Sequence, residues 1–377
     1  MKVALVHEWL TTYAGSDKVL AEMASLFPDA DIFCLINFLS DQNRTHFDGR
    51  RIITSFLQRI PLSNKYYTYM LPLMPLAIEQ HDLRQYDLII SNCHAVAKGV
   101  ITTRRQLHIC YCYTPMRYAW DLQHQYIEGS GFGPVRSALA RYFLHKIRIW
   151  DQRTSNCVDH YVACSKYIAG RIRKTYRRDS TVIYPNVDID RYSLGNAPRE
   201  NFYVTASRMV PYKQMHLIVE AFTKMPDKKL VVIGDGPKYR YVKSIATPNI
   251  EILGYQPNDV LRSYLQRCRA FIFASEEDFG IAPVEAQACG TPVIAFSRGG
   301  GRETVIDGVT GLHFHEQTTA SLIDAIARFE AVDAQYDRQK IRAHAETFST
   351  KAFRETFARY VEEKWADHQR DLISEDA

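Results

Sequence analysis

Two glutamates are separated by seven residues in the stretch ASEEDFGIAPVEAQACGTPV, which spans residues 274–293. Gly280 breaks the chain after an apolar run, and Pro283 is typical of the first turn of a helix. The pattern therefore places Glu277 on the loop before a helix and Glu285 within that helix's first turn. The N–H groups at a helix start bind anions, and a carboxylate on each side suits hydrogen bonds to vicinal hydroxyls. The alternative is a solvated Glu277 and a Glu285 that only complements the helix dipole. It does not explain why loop, glycine, proline and strand end coincide.

Two cations precede another helix in the stretch TASRMVPYKQMHLIVEAF at residues 205–222. Arg208 and Lys213 are predicted to lie on the loop between a strand and that helix. Arginine binds a diphosphate as a bidentate fork and lysine binds it as a point charge, so the pair suits a diphosphate ligand. Basic residues are common on such loops, so the pair indicates a diphosphate site only together with the two glutamates that follow it in the sequence.

Glycines follow two more predicted strands in the same half of the chain. Gly234 and Gly236 in VVIGDGPKYRYV resemble part of a phosphate-binding fingerprint, but the third glycine is missing and a tight turn is the better interpretation. In SRGGGRETVIDGVTGLHF, residues 297–314, three consecutive glycines allow close approach of the backbone to a ligand. Glu303 in that stretch either joins such a site or caps the following helix.

Apolar runs of strand length alternate with amphipathic helical segments along most of the chain. Two such series predict two doubly wound α/β domains with parallel sheets buried on both faces. The polar stretch at 186–201 is predicted to hold the hinge, and from about residue 320 the pattern is helical. The predicted strands are residues 2–7, 31–36, 86–91, 107–113, 159–164 and 181–185, then 201–207, 228–236, 250–254, 269–275 and 292–296.

The composition is that of a soluble globular protein, with 46% apolar and 24% charged residues among 377. No run approaches the roughly 18 consecutive apolar residues of a membrane-spanning helix, and His7 and Glu8 come too early for a signal peptide. The eight cysteines form no CxxC pair, which indicates a reducing compartment and predicts a cytoplasmic protein. The chain contains no HExxH motif or other tight cluster of metal ligands, so no metal site is predicted.

Taken in their order along the chain, these motifs resemble family 4 of the retaining glycosyltransferases. The most specific element of the resemblance is the E-x7-E spacing of Glu277 and Glu285. The resemblance implies an α/β fold of the GT-B type, in which two facing Rossmann-like doubly wound domains enclose a cleft. It implies a nucleotide-sugar donor, no further cofactor and no metal, because cations and helix dipoles neutralise the diphosphate.

The resemblance also implies a role for each candidate residue. Arg208 and Lys213 would hold the donor diphosphate and stabilise the leaving nucleotide. Glu277 would contact the donor sugar, and Glu285 would bind the ribose hydroxyls. Backbone groups of Phe279, Gly280 and Ile281 would supply further contacts to the donor, and so would Gly15 in the loop after the first strand. The pocket for the base would involve Gly254 and Tyr255.

Two stretches of the first half, VHEWLTTYAGSDKVL at 6–20 and CYTPMRYAWD at 112–121, resemble bacterial mannosyltransferases that build polysaccharide chains. The resemblance departs at Tyr113, where many relatives carry a histidine that points at the donor sugar. A tyrosine donates a hydrogen bond but does not offer the same proton chemistry near neutral pH. His94 and Asp121 are candidates to lie nearby, with a buried or capping role as the alternative for each.

An aromatic and apolar stretch at residues 55–78 is interrupted by three prolines, which makes it too broken for a spanning helix. It is either a buried helical hairpin or an interfacial patch that dips side chains into lipid headgroups. Residues 136–178 carry eleven Lys and Arg against two Asp. This basic segment is either a solvated helix face or a surface for an anionic membrane or nucleic acid. No RNA-binding motif accompanies it, so nucleic acid is not predicted as a partner.

We therefore predict a retaining, metal-independent hexosyltransferase that moves mannose from GDP-mannose to a saccharide acceptor. The acceptor is predicted to be linked to a lipid diphosphate, at the inner face of a bacterial membrane, in the synthesis of a cell-surface polysaccharide such as lipopolysaccharide O-antigen. Residues 1–190 are predicted to bind the acceptor and 191–350 the donor, with the helix at 351–377 packing back onto the first domain. The alternatives are the same fold with a UDP-sugar donor, carrying glucose or N-acetylglucosamine, and a sugar-nucleotide epimerase. The epimerase is disfavoured because it needs no lipid-linked partner and so no apolar surface patch.

Overall fold

The computed structural model describes residues 1–196 and 198–376, with side chains described through residue 374. The chain divides into two compact units. Unit 1 comprises Met1–Tyr184 and Arg354–Ala377, and unit 2 comprises Pro185–Phe353. The division after Tyr184 falls just before the stretch expected to hold the hinge, and six residues ahead of the expected domain boundary at 190.

Unit 1 is built on a parallel sheet of seven strands, in the order β5-β3-β1-β6-β7-β8-β9. Its central strands consist mainly of apolar residues and are buried on both faces, as parallel sheets between helices require. The chain winds outward in both directions from β1 and β6, so the switch point of the sheet lies between these two strands. The strands are β1 Val3–His7, β2 Trp9–Leu10, β3 Asp31–Cys34, β4 Ile36–Asn37, β5 Ile52–Thr54, β6 Leu88–Cys93, β7 Leu107–Cys112, β8 His160–Ala163 and β9 Ser180–Val182, with β2 and β4 forming a separate pair.

Helices of very different length connect the strands of unit 1. The longest helix between two strands of unit 1, α6, runs for 21 residues and buries only one narrow stripe. The last helix, α15, begins in unit 2 and continues into unit 1, where the Phe357 ring lies 6.1 Å from the Tyr111 ring. The helices are α1 Ser16–Leu26, α2 Asp41–Arg44, α3 Ser63–Tyr66, α4 Met74–Glu79, α5 Gln123–Gly129, α6 Pro134–Thr154, α7 Lys166–Tyr176 and, after unit 2, α15 Thr350–Asp376.

Unit 2 is built on a second parallel sheet of six strands, in the order β12-β11-β10-β13-β14-β15. The switch point lies between β10 and β13, so the loops that follow these two strands flank one crevice at the carboxyl edge. The strands are β10 Phe202–Ala206, β11 Lys229–Ile233, β12 Ile250–Gly254, β13 Ala270–Phe273, β14 Val293–Phe296 and β15 Gly311–Phe314. The helices are α8 Met215–Thr223, α9 Tyr239–Ser244, α10 Asn258–Arg267, α11 Ile281–Ala288, α12 Gly301–Thr304, α13 Thr319–Glu330 and α14 Arg338–Glu346.

All eleven strands expected from the sequence are present, and the structure adds four short ones. β5 and β15 are edge strands of three and four residues, and β2 and β4 have two residues each. Runs this short give no reliable alternation of apolar and polar residues, so periodicity cannot find them. The chain beyond Thr319 is helical, as expected, in both α and 3₁₀ segments.

The stretch at residues 55–78 folds into short α and 3₁₀ helices on unit 1 rather than into a buried hairpin. Several of its large apolar side chains are exposed, among them Leu62 at 60%, Tyr69 at 72% and Leu76 at 52%. The alternative of a buried helical hairpin is therefore wrong, because the stretch keeps much of its apolar surface in contact with solvent. No helix among the described residues is long and apolar enough to cross a membrane.

Candidate active site

Lys213 and Glu277 meet at the switch point of the unit 2 sheet. Lys213 ends the short 3₁₀ helix Pro211–Lys213 after β10, and Glu277 lies on the loop after β13. Their Nζ and Oε1 atoms are 2.6 Å apart, and both side chains are largely buried, at 18% and 17% exposed. Because β10 and β13 are neighbours in the sheet, two residues 64 positions apart in the sequence form one ion pair.

Arg208 lies on the same loop as Lys213, with an exposed side chain. The loop backbone is fixed by the turn after β11, since Met209 N–H donates to the Asp235 carbonyl at 2.8 Å. A Cβ at Gly234 would lie 1.9 Å from the Ser207 carbonyl oxygen, so only glycine allows the two backbones to approach this closely. The paired glycines thus form a tight turn, as expected, and this turn supports the loop that carries the basic pair.

Gly299 and Gly300 support the loop of Glu277 in the same way. The Gly300 N–H donates to the Glu277 carbonyl at 2.7 Å. Cβ atoms at Gly299 and Gly300 would lie 2.4 Å from the Glu277 carbonyl oxygen and 2.0 Å from that of Phe279. The consecutive glycines were expected to admit a ligand, but the first two instead admit the backbone of a neighbouring loop. Glu303 lies within α12 itself, near its C-terminal end, and does not cap a following helix.

The helix that follows this loop, α11, begins at Ile281 with Gly280 as its N-cap at a φ of 87°. Phe279 is buried, and its ring lies 5.5 Å from the Phe348 ring, which fixes the backbone just before the helix. Glu285 is the fifth residue of α11, so it lies on the second turn and not on the first as the sequence suggested, because the helix starts before Pro283.

Glu285 has a partner that sequence reasoning missed. The buried hydroxyl of Tyr192 donates a hydrogen bond to the Glu285 carboxylate. Burial and the charge of Glu285 raise the pKa of Tyr192 well above its ordinary value, so the phenol stays a donor. The contact joins positions 93 residues apart, and only the occurrence of a tyrosine in the polar stretch 186–201 hinted at it.

Gly254 ends β12, the edge strand of the unit 2 sheet, and Tyr255 follows it with 77% of its surface exposed. These two residues lie at the same carboxyl edge as Arg208 and Glu277, separated from β10 by β11. The edge as a whole carries two cations, two carboxylates and the N–H groups of a helix start. Such a set suits a diphosphate flanked by hydroxyl groups, as in a nucleotide sugar.

In unit 1, Gly15 is the N-cap of α1, and the space around a Cβ at this position is open. The Tyr113 hydroxyl lies 3.4 Å from the carbonyl of Ser16, so it is beside the same helix start. Burial raises the pKa of Tyr113 well above its ordinary value, which leaves it a hydrogen-bond donor. His94 follows β6 and its ring lies 6.5 Å from that of Tyr113, whereas Asp121 is bound by Arg171 in a bidentate ion pair.

A buried cluster beneath these residues was not predicted as a site. His7 Nε2 lies 3.1 Å from Asp17 Oδ1, and Glu8 Oε2 lies 3.0 Å from His94 Nδ1. Burial lowers the pKa of His7, but the hydrogen bond to Asp17 and the charge of Glu8 outweigh it and raise the pKa. Two polar residues directly after an apolar strand, in VHEW, were the only sign in the sequence. Within the described residues, no group of three or more His, Cys, Asp or Glu is placed to hold a metal ion.

Two family models match the chain in succession. The model of Glycosyltransferase Family 4 matches residues 15–191, and that of Glycosyl transferases group 1 matches residues 186–346. MJ1178 of Methanocaldococcus jannaschii, an uncharacterized glycosyltransferase, is 30% identical over 198 residues, covering 51% of this chain and 55% of the relative. A GDP-mannose-dependent alpha-(1-6)-phosphatidylinositol monomannoside mannosyltransferase of Mycolicibacterium smegmatis is 27% identical over 193 residues, covering 42% and 50%. The chain thus spans about half the length of the curated relatives it matches.

Among solved structures, HepE from Anabaena in complex with UDP is similar to this chain with a TM-score of 0.68 at 18% identity. The match covers 96% of this chain and 100% of HepE. Together with two Rossmann-like parallel sheets, this similarity shows a GT-B fold. The expected fold class is therefore confirmed.

Proposed function

Because the family models and the GT-B fold support a glycosyltransferase of family 4 type, we propose that this chain is a retaining mannosyltransferase that uses GDP-mannose. The observation that carries the proposal is the ion pair of Lys213 and Glu277 at the switch point of unit 2, with Arg208 on the same loop as Lys213. Nucleotide ligands of doubly wound sheets bind at this point. In the proposal, unit 2 binds the donor and unit 1 binds the acceptor.

The proposed chemistry follows from the charges at this edge. Arg208 and Lys213 neutralise the diphosphate as it leaves, and the start of α11 adds backbone donors to the same charge. The Lys213 ammonium is already held by Glu277, so its position is fixed before the substrate arrives. Glu277 remains available to a sugar hydroxyl, and Glu285, held by Tyr192, binds the ribose. Retention follows if the acceptor attacks from the face that the phosphate leaves, with the phosphate taking the acceptor's proton.

The relatives differ in the base and the sugar of the donor. The relative from Mycolicibacterium smegmatis depends on GDP-mannose, whereas HepE was solved with UDP. A UDP-sugar donor is therefore the second candidate. Thermal-shift measurements with GDP, GDP-mannose, UDP and UDP-glucose in the presence of EDTA separate the two. Selective stabilisation by the guanine nucleotides supports the proposal, selective stabilisation by the uridine nucleotides replaces the donor, and a requirement for added metal contradicts the metal-independent mechanism.

We further propose that unit 1 holds a lipid-linked acceptor at the inner face of the membrane. Helix α6 carries an exposed apolar stripe of Val135, Leu139, Tyr142 and Ile149, at 82%, 54%, 56% and 54% exposure. Three of its buried residues, Ser137, Leu144 and Asp151, follow stripe residues by two positions, so at about 100° per residue they lie on the opposite face. A solvated helix would place polar residues on that outer face.

The exposed stripe is accompanied by positive charge and by the apolar stretch at 55–78. Arg136, Arg141 and Lys146 are exposed on the same helix, which suits an anionic lipid surface. Helix α6 is bound to helix α4, which ends the apolar stretch, because Trp150 Nε1 donates to Glu79 Oε1 at 2.6 Å. Positive charge is concentrated in the first half of the chain, because residues 1–190 contain 23 Lys and Arg against 17 Asp and Glu, a net charge of +6.

Sedimentation with vesicles of phosphatidylglycerol and phosphatidylcholine tests this surface. Wild type is expected to bind at low salt and to bind less as salt screens the charges. The double variant Leu139→Ser with Tyr69→Ser should bind at least about tenfold more weakly, since each loses apolar area at the interface. Val309→Ser, at an apolar residue of unit 2 that is 45% exposed, is the matched control and should bind like wild type. Equal binding by all three proteins contradicts the proposed surface.

A further inference from the structure

Glu8 and His94 follow β1 and β6, the two strands at the switch point of the unit 1 sheet. The Glu8 side chain is fully buried. Its Oε1 atom accepts hydrogen bonds from the N–H groups of His94, Ala95 and Ala97, at 2.9, 2.8 and 3.2 Å. Its other oxygen, Oε2, lies 3.0 Å from His94 Nδ1. One carboxylate therefore holds both the backbone and the ring of His94.

This arrangement fixes which nitrogen of His94 faces a ligand. Burial alone raises the pKa of Glu8, but the neighbouring histidines and the N–H donors outweigh it, so the pKa lies well below its usual range. An ionised Glu8 is only an acceptor, so a carboxylate oxygen 3.0 Å from Nδ1 favours the Nδ1–H tautomer of a neutral His94 ring. The lone pair of Nε2 is then available. The ring is not enclosed, because 27% of the His94 side chain is exposed.

Aromatic rings lie beside His94. The Trp9 ring meets it edge to face at 4.8 Å, and the Tyr67 ring lies 5.3 Å from that of Trp9. Trp9 and Tyr67 are both partly exposed, and Tyr113 closes a further side. Rings of this kind offer apolar faces to the C–H groups of a sugar, while a fixed nitrogen between them suits a sugar hydroxyl. The surroundings thus favour a carbohydrate over a simple anion.

We propose that His94 contacts a sugar substrate, with Nε2 accepting a hydrogen bond from a hydroxyl group, and that Glu8 is its positioning residue. The inference rests on the proposed glycosyltransferase function. His94 directly follows β6 at the carboxyl edge of unit 1. The corresponding position after the neighbouring strand β7 is Tyr113. The hydroxyl belongs either to the donor sugar or to the acceptor sugar, and the kinetic test below distinguishes the two.

The first test is independent of the donor. In protein labelled with ¹⁵N-histidine, the His94 signals are assigned by their loss in His94→Gln. The proposal expects the Nδ1–H tautomer in the neutral His94 ring of wild type. Glu8→Gln keeps an oxygen for the three N–H groups and turns its NH₂ group toward His94, so the tautomer should switch to Nε2–H. An Nε2–H tautomer in wild type overturns the proposal.

The second test measures nucleotide release from GDP-mannose and from UDP-glucose, with water alone and with octyl mannoside as a probe acceptor. His94→Ala should lower kcat/KM roughly 10- to 100-fold, the loss expected for one hydrogen bond in a protected site. Glu8→Gln should lower it by a similar factor while the melting temperature stays close to wild type. His160→Ala is the matched control, since this partly exposed histidine begins β8 at the opposite edge of the sheet.

The pattern of losses identifies the sugar. A loss in both water and octyl mannoside assigns the hydroxyl to the donor, and a loss only with octyl mannoside assigns it to the acceptor. Wild-type kcat/KM in His94→Ala under both conditions overturns the proposal. If wild type releases nucleotide from neither donor, the donor assignment fails, and the tautomer of His94 decides this inference by itself.

Discussion

Replacing Gly300 with alanine tests whether the glycine-backed loops position the candidate active site. A Cβ at Gly300 would lie 2.0 Å from the Phe279 carbonyl oxygen, whereas ordinary contact begins at about 3.4 Å. The two backbones must therefore separate by about 1.4 Å. The φ of Gly300 is −63°, which alanine adopts without strain, so this contact is the whole cause of any effect.

The expected consequence is a displaced Glu277 loop. Separation of this size breaks the hydrogen bond from the Gly300 N–H to the Glu277 carbonyl, now 2.7 Å long. It also moves the start of α11, because Phe279 directly precedes the N-cap Gly280. A misplacement of about 1 Å near a reacting centre costs roughly 100-fold in rate, and overpacking of this kind costs about 1–3 kcal/mol of stability. We therefore expect Gly300→Ala to lower kcat/KM about 100-fold.

Gly301→Ala is the control for this prediction. A Cβ there lies 3.2 Å from its nearest neighbours, the Phe273 ring and the Phe296 carbonyl oxygen, so a shift of a few tenths of an ångström suffices. Hydrogen exchange of a peptide spanning 275–281 reports on the loop without any ligand, and calorimetry with GDP and UDP reports on nucleotide binding. Faster exchange and weaker binding are expected in Gly300→Ala only. Identical behaviour of both variants and wild type would refute the positioning argument.

Three further substitutions test separate parts of the structure. Arg208→Ala should lower turnover by about 100- to 1000-fold with the melting temperature nearly unchanged, because its exposed charge acts on the leaving diphosphate; a near-wild-type rate contradicts its role. Tyr192→Phe should weaken nucleotide binding about tenfold by calorimetry, since Glu285 loses its buried hydrogen-bond donor; an unchanged Kd shows that the contact does not position the carboxylate. Lys98→Met should lower the free energy of unfolding by about 3–5 kcal/mol in urea titrations, because it leaves Asp151 buried without its ion-pair partner; a loss below about 1 kcal/mol means that other donors to Asp151 suffice.

Much of the fold follows from the sequence, and so does the meeting of Lys213 with Glu277. Parallel strands gather their carboxyl ends at one edge, so a basic pair after β10 and an acid after β13 had to come close once these strands were neighbours. The contacts that hold these loops were not predictable. The support of Glu277 by Gly300 and of His94 by Glu8 joins loops of different strands, and no local pattern encodes which loops touch. The exposure of residues 55–78 likewise depends on tertiary packing, since the same apolar run suits a hairpin core.

The two candidate loops of unit 2 are both held by packing of backbone against glycines of a neighbouring loop. This packing positions the side chains without selecting the base. The loop of Arg208 is backed by Gly234 and Gly236, and the loop of Glu277 by Gly299 and Gly300. In both cases backbone packs against backbone, so the place of each candidate side chain does not depend on other side chains that would have to change with the substrate. Under the proposed function, diphosphate binding by these loops is therefore expected to be insensitive to the base. The choice between guanine and uracil would then fall on residues outside these loops, and among the candidates the exposed Tyr255 after the edge strand β12 has this freedom.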